Sequence, residues 1–454
     1  MPVSESAGTV AATGGRWRPA RARWAVTAVF AANGAIIASL AVRTPSLKLD
    51  HELTAGQLGV LSALFGVTAL VAMQVTGGLA ARLGSAWIVR TTMVLLPAAL
   101  LAVGLAGDPI LLGLVMLIFG AVHGMLDVTM NAHAVAVERA LGRPIMNGCH
   151  AAWSIGAVLG SLAGGAAAQA EVSRGRHYLL LVVALVAVAL LVGRWLLPSA
   201  ADRRAGPATD AARTAGDART AGDARTAGGV RRWRSGWTRR LLVLGAMGAA
   251  VLTCEAAVAN WSGVYLHENL GASLGVASLG YIAFTACETA GRLVGDRLVA
   301  RYPAPLLVRV GAVTAAAGLA VVVLGRSPAL TVVGFAVLGL GLATPLPVIF
   351  SVVGHLGADG AGAADLVARL TTMTYAGILL APVAIGWLAE AIGLSWTLAS
   401  LIPLLGVVAY KAPVAATDRP VPASAASAPS APGRSGSRRG TDGRPDARSR
   451  RTDP

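Results

Sequence analysis

Residues 109–137 read PILLGLVMLIFGAVHGMLDVTMNAHAVAV, 29 positions with one formal charge, Asp127. About 20 apolar residues in a helix cross the roughly 30 Å of hydrocarbon in a bilayer. Lipid offers no partner to a free backbone amide or carbonyl, so such a run has to be helical. Within it His123, Asp127 and Asn131 stand at i, i+4 and i+8, inside about 80° of one face at about 100° per residue. A polar stripe on an otherwise apolar helix avoids lipid and suits a water-filled cavity.

Eleven further apolar runs accompany this one, at 24–42, 56–80, 87–106, 146–169, 178–197, 241–265, 273–298, 305–325, 328–354, 365–389 and 394–410. The 454 residues are 55% hydrophobic and 13% charged, about half the charged share of a soluble protein. The first run lacks a convincing small-residue cleavage site and leads into Arg43-Thr44-Pro45, so it is expected to remain as a span. The expected fold is an all-α integral membrane protein of twelve transmembrane helices.

The net charge of +16 suggests a polyanionic partner until its location is considered. Residues 1–23 carry +3, residues 194–240 carry +7 and residues 411–454 carry +5. These segments are rich in Ala, Gly, Ser and Pro and are expected to be disordered. The middle one repeats the hexamer Thr214-Ala-Gly-Asp-Ala-Arg219 at Thr220–Arg225, a low-complexity linker. No basic patch is interleaved with stacking aromatics, which argues against nucleic acid. With the N-terminus inside, 33 Lys and Arg fall in cytoplasmic segments and five in outer loops. The positive-inside rule therefore puts both termini and the linker in the cytoplasm of a cell that carries the protein in its inner membrane. Cys149, Cys254 and Cys287 lie in apolar runs without metal-ligand spacing, so they are expected to act as small packing residues and no metal or cofactor is expected.

The two halves align at an offset of about 220 residues: Asn33 on Glu255, Gly59 on Gly280, Ile88-Val-Arg90 on Leu307-Val-Arg309 and Gly164 on Gly386. Six spans, a basic linker and six more spans describe two pseudo-symmetric six-helix bundles with a site between them. The expected organisation is a basic tail at 1–23, a bundle at 24–197, a linker at 198–240, a second bundle at 241–411 and a basic tail at 412–454.

Between the second and third spans stands Gly77-Gly-Leu79-Ala-Ala81-Arg82-Leu-Gly84, and in the second half Gly291-Arg292-Leu-Val-Gly295-Asp296-Arg297. Over residues 24–411 the chain resembles the major facilitator superfamily, whose loop pattern is G-x-L-a-D-R-x-G; Ala81 replaces the first acid. The resemblance implies that Gly77, Arg82, Gly84, Gly291, Arg292, Asp296 and Arg297 belong to gating loops that latch the halves together. Leu126-Asp127-Val-Thr-Met-Asn131-Ala-His133, Gly142-Arg143-Pro144-Ile-Met146, His150-Ala-Ala-Trp153-Ser154 and Glu255 with Asn260-Trp261-Ser262 look like the branch holding a rhizopine-locus membrane protein and the proton-coupled fucose permeases. That likeness implies a small polar, sugar-like solute.

An ionisable side chain inside a membrane is a functional candidate because burying it is costly. Glu255 lies near mid-depth with Ser262 on its face, Asn260 turned away and no basic residue within one turn. An unpaired carboxylate there suits proton coupling, as does Asp127. Glu288 precedes Arg292 by one turn, the spacing of an i, i+4 ion pair. Asn33, His123, Asn131, His150, Trp153, Asn260 and Tyr375 are candidate substrate ligands. Each also has a packing reading, as hydrogen-bond glue between helices or an interfacial anchor. Pro345, Pro347 and Pro382 are expected to interrupt helical hydrogen bonding. Gly156-x-x-x-Gly160-Ser161-x-x-Gly164 permits close helix contact and supports export only weakly.

The sequence thus predicts a secondary active transporter, proton-coupled and monomeric, of a small molecule. Import of a sugar-like solute and export of a metabolite or antibiotic made by the host stay open. A sensor that binds without transporting is the remote alternative. No HExxH, GxSxG or Walker loop supports an enzyme or ATP-driven pump.

Overall fold

A computed structural model describes residues 19–142, 145–198, 237–356 and 363–416. The expected tails and linker lie almost wholly outside these residues, as do Arg143 and Pro144. Among the described residues there is helix and no strand.

The first half comprises α1 (Pro19–Val42), the short α2 (Thr44–Asp50), α3 (Ala55–Leu83), α4 (Ser85–Leu105), α5 (Pro109–Leu141), α6 (Met146–Gln169) and α7 (Arg174–Gly193). The second comprises α8 (Arg239–Val264), which runs on into a π-helical turn at Tyr265–Asn269, α9 (Leu274–Arg301), α10 (Ala304–Leu324), α11 (Pro328–Leu342), α12 (Pro345–Leu356), α13 (Ala363–Ile392), α14 (Leu394–Ala399) and α15 (Leu401–Lys411). Local signals fix several boundaries. Thr54 and Gln57 form a reciprocal capping box on α3. Asp108 Oδ1 accepts from the amides of Ile110 and Leu111 where Pro109 opens α5. Gly84, at φ 86°, ends α3 in a conformation that disfavours a side chain. The run 328–354 is split into α11 and α12 at Ala343–Thr344, just before Pro345.

Among the described residues, eleven helical segments are long and apolar enough to span a membrane. The remaining expected span is α9, which is 28 residues long but carries Glu288, Arg292, Asp296, Arg297 and Arg301 along its second half. It fails by composition, and two of its charged residues, Glu288 and Arg292, line the cavity described below.

Packing repeats between the halves. In the first, α1 lies on α6, α3 on α5, and α4 on α5 and α7; in the second, α8 lies on α13, α9 on α11, and α10 on α11 and α15. Across the halves α3 meets α13 and α6 meets α9. This is the duplication expected from the aligned residues. The α1–α6 contact is close because α6 is glycine-lined: a Cβ on Gly156 would stand 1.9 Å from the Ala31 carbonyl oxygen, and one on Gly160 2.4 Å from that of Ala35. Ile110, Leu180, Leu324 and Trp396 are among many large apolar side chains left exposed on the outer faces, a surface suited to lipid.

At the end of the bundle away from the chain termini, the distal end, Lys48 Nζ of α2 meets Glu268 Oε1 of the π-helical turn at 2.5 Å. The Gly56 amide donates to Glu390 Oε1 at 2.8 Å, and Ser273 Oγ donates to Gln169 Oε1 at 3.4 Å. All three join the two halves.

Candidate functional site

A cavity of about 280 Å³ lies between the halves, lined from α1, α2, α3, α5 and α6 on one side and α8, α9 and α13 on the other. Helix α9 presents Tyr281, Thr285, Glu288 and Arg292 to it, positions spaced by four, three and four residues and hence on one face. Arg292 Nη2 donates to Glu288 Oε1 at 2.7 Å and lies 3.6 Å from Glu255 Oε1 on α8. One guanidinium thus faces two carboxylates from two helices.

The expectation that Glu255 lacks a basic partner is corrected by this geometry. Its partner comes from α9, 37 positions along the chain, which spacing within α8 cannot reveal. The expected orientation of its neighbours is corrected as well. Asn260 lines the cavity, donating through Nδ2 to the Ala256 carbonyl and accepting through Oδ1 from Ser62 Oγ at 2.6 Å. Ser262 is 2% exposed and packs toward Gly280. The lining arc on α8 runs through Leu252, Glu255, Ala256, Ala259 and Asn260, a broad face centred between the two polar side chains.

The loop conformation expected of the gating segments is corrected too. Residues 291–297, Arg292 among them, are part of α9, and residues 77–83 part of α3. Gly291 is tight, a Cβ there falling 2.5 Å from Ala343 Cβ, while Gly77 has open space around it. Gly84 is the break between α3 and α4, and Arg82 and Arg297 are exposed. The Asp296 side chain lies outside the description.

Trp153 lines the cavity, and its indole Nε1 donates to Asn33 Oδ1 at 3.3 Å. Asn33 is fully buried, with Nδ2 3.7 Å from Met130 Sδ; it sits behind Trp153 and sets the ring's position. His123, Asp127 and Asn131 keep their common face but stand off this cavity. The His123 ring lies 5.3 Å from that of Phe65, which does line it. Asn131 Nδ2 donates to the Asp127 backbone carbonyl at 2.8 Å. Tyr375 of the second half is in electrostatic range of Asp127. His150 is exposed with its ring edge-on to Phe30 at 5.3 Å. Cys149 and Cys254 are buried free thiols and Cys287 is a partly buried one. Ser62, Phe65, Tyr281, Phe284 and Thr285 join the site without having been candidates by sequence; the α9 face is legible in hindsight as a polar stripe running from Tyr281 to Arg292.

Residues 24–364 match the model of the Major Facilitator Superfamily. The chain belongs to the major facilitator superfamily. It is 32% identical over 373 residues to an uncharacterised transporter, y4wD, of Sinorhizobium fredii, a match covering 81% of this chain and 90% of that protein. It is 30% identical over 393 residues to the membrane protein MosC of Rhizobium meliloti, covering 85% and 88%. The crystal structure of the nucleoside transporter NupG superposes with a TM-score of 0.67 at 14% identity, covering 87% of this chain and 98% of that one. The protein is accordingly a multi-pass membrane transporter, not an enzyme, and like other members of its superfamily it moves small molecules across a lipid bilayer.

Proposed function

We propose that the chain is a proton-coupled secondary transporter that works by alternating access around the cavity between its halves. The Glu255–Arg292–Glu288 cluster carries this reading. With both acids ionised, the cluster holds one surplus negative charge in a cavity where only eight of the 24 lining residues are polar. An apolar surrounding makes that charge costly, and uptake of one proton removes it. Substrate bound among Asn260, Thr285 and Trp153 touches the same groups, so protonation and binding act on each other.

The substrate in this reading is a small polar metabolite with an apolar face, its hydroxyl or amine groups meeting Asn260, Ser62 and the acids while Trp153, Tyr281 and Phe284 cover its body. The apolar share of the lining favours a second reading, export of an amphipathic product made by the cell, over uptake of a plain sugar. The excess of Lys and Arg in the segments at the terminal end supports an inner-membrane protein with cytoplasmic termini. In that orientation the distal links Lys48–Glu268 and Gly56–Glu390 close the outer side, and the Gly77–Gly84 and Gly295–Arg297 segments meet or part at the inner side as the halves rock. His123, Asp127, Asn131, His150 and Tyr375 then lie on the inner approach. The reading is of a monomer, since each chain supplies both walls of the cavity.

Counterflow of candidate solutes in proteoliposomes, with and without an imposed pH gradient, tests the proposal. Glu255→Gln should keep counterflow and lose acceleration by the pH gradient. Unchanged pH-driven flux in that variant would refute the coupling assignment.

A further inference from the structure

At the distal end of the first half, away from the cavity, four buried side chains converge. Arg43, Arg174, His177 and Tyr178 are 4%, 6%, 5% and 0% exposed. Arg43 Nη2 donates to the Val172 carbonyl at 2.8 Å. Arg174 Nε donates to Asp50 Oδ2 at 2.7 Å, and its Nη2 to His51 Nε2 at 3.2 Å. These bonds leave several groups over. Arg43 Nε and Nη1, Arg174 Nη1, the Tyr178 hydroxyl and both His177 ring nitrogens are buried with no hydrogen-bond partner among the described residues. The His177 and Tyr178 rings are 5.2 Å apart, and Arg43 is in electrostatic range of Arg174, Tyr178 and Asp50.

Of the two guanidinium groups only Arg174 has an ion-pair partner among the described residues, Asp50, whose side chain is 54% exposed, so the charge of Arg43 is left without a carboxylate partner. Buried donors without partners are costly, and charged ones more so. Water satisfies donors but leaves the charge; an anion does both. We infer that Arg43, Arg174, Tyr178 and His177 form a binding site for one small inorganic anion of the size of chloride. The burial of all four side chains favours a monatomic ion over a lipid phosphate, which would have to bring its glycerol with it.

The site has a consequence for gating. Helix α2 follows Arg43 directly and ends at Asp50. It also carries Lys48, the partner of Glu268, and Pro45, whose ring stands 2.6 Å from where a Cβ on Gly263 of α8 would be. An anion that fixes Arg43 and Arg174 fixes both ends of this short helix, which docks on the opposite half. Anion binding therefore holds the distal end closed.

The test uses the full-length chain in phosphatidylcholine nanodiscs, with the unfolding temperature read by tryptophan fluorescence. Chloride replaces gluconate at constant ionic strength. A saturable rise in Tm with chloride is expected. Tyr178→Phe, which removes one donor and keeps the ring, should raise the half-saturating chloride concentration about tenfold, the scale of one hydrogen bond to a charged group. Arg43→Gln should abolish the response; should that variant fail to fold, Tyr178→Phe decides alone. The inference is overturned by a flat titration, by an unchanged half-saturation in Tyr178→Phe, or by stabilisation that appears only when phosphatidylglycerol replaces phosphatidylcholine.

Discussion

In the first half, the residue that mirrors Glu255 is Asn33, fully buried and hydrogen-bonded to the Trp153 indole at 3.3 Å. In the second half Glu255 lines the cavity, 3.6 Å from Arg292. The helices around these residues pack by one plan, α1 on α6 and α8 on α13, yet the chemistry is divided unequally. From α3 the cavity receives Leu58, Leu61, Ser62, Phe65 and Gly66; from α9 it receives Tyr281, Phe284, Thr285, Glu288 and Arg292. The first half supplies a mostly apolar wall and keeps its own buried charges at the distal end, in Arg43 and Arg174. The second half places Glu255, Glu288 and Arg292 against the cavity. A duplicated scaffold keeps its packing because volume is constrained at every helix contact. Charge is constrained only where a counter-charge from another helix arrives, so the halves are free to diverge there.

This asymmetry is tested most severely at Arg292. Arg292→Leu leaves two acids facing each other without a cation; flux in proteoliposomes should fall by about 100-fold or more, the scale of one buried partner lost, while Arg292→Lys should recover a measurable part. Equal activity in Arg292→Leu would show that the second half's charges are not the working ones. A smaller effect is expected from Gly156→Ala, which drives a methyl group into the Ala31 carbonyl; overpacking of this kind costs about 1–3 kcal/mol and should appear as a lower Tm with little change in substrate preference. Asn33→Leu removes the acceptor of the Trp153 indole, worth about 1 kcal/mol. It should raise KM several-fold and leave the pH dependence of flux in place; a lost pH dependence would mean that Asn33 shares the role of Glu255. The least effect belongs to Lys48→Ala with Glu268→Ala. A partly exposed ion pair is worth about 0.2–1 kcal/mol, so a double-mutant cycle on Tm should show coupling of that size, with greater labelling of cysteines placed beside the distal links.

Much of the fold is legible in the sequence because lipid leaves a chain few choices. An apolar run such as 109–137 has to be a helix, and the aligned pairs Gly59 with Gly280 and Gly164 with Gly386 announce a repeat. Helix α9 is legible by its position, although its five charged residues take it below the apolar standard of the others. The candidate site is legible in its residue types and obscure in its pairings. Glu288 and Arg292 stand one turn apart, and their spacing alone pairs them. Glu255 reads as unpaired because its partner sits on another helix, and Asn260 reads as turned away because one angle on a wheel does not say how wide a cavity is. The gating segments read as loops from the family's loop pattern, yet 291–297 continues α9, which moves Arg292 from the latch to the cavity wall.

Sequence by itself determined the membrane setting, the helices, the duplication and the presence of intramembrane acids, since each follows from hydropathy and spacing along one chain. Tertiary structure alone decided that Arg292 is shared by two acids, that Asn33 stands behind Trp153, that His123, Asp127 and Asn131 stand off the cavity, and that Arg43 comes within electrostatic range of Arg174 across 131 positions of sequence. Such meetings depend on how helices pack side by side, and a pattern along one helix fixes its own faces without fixing which neighbour each face will meet.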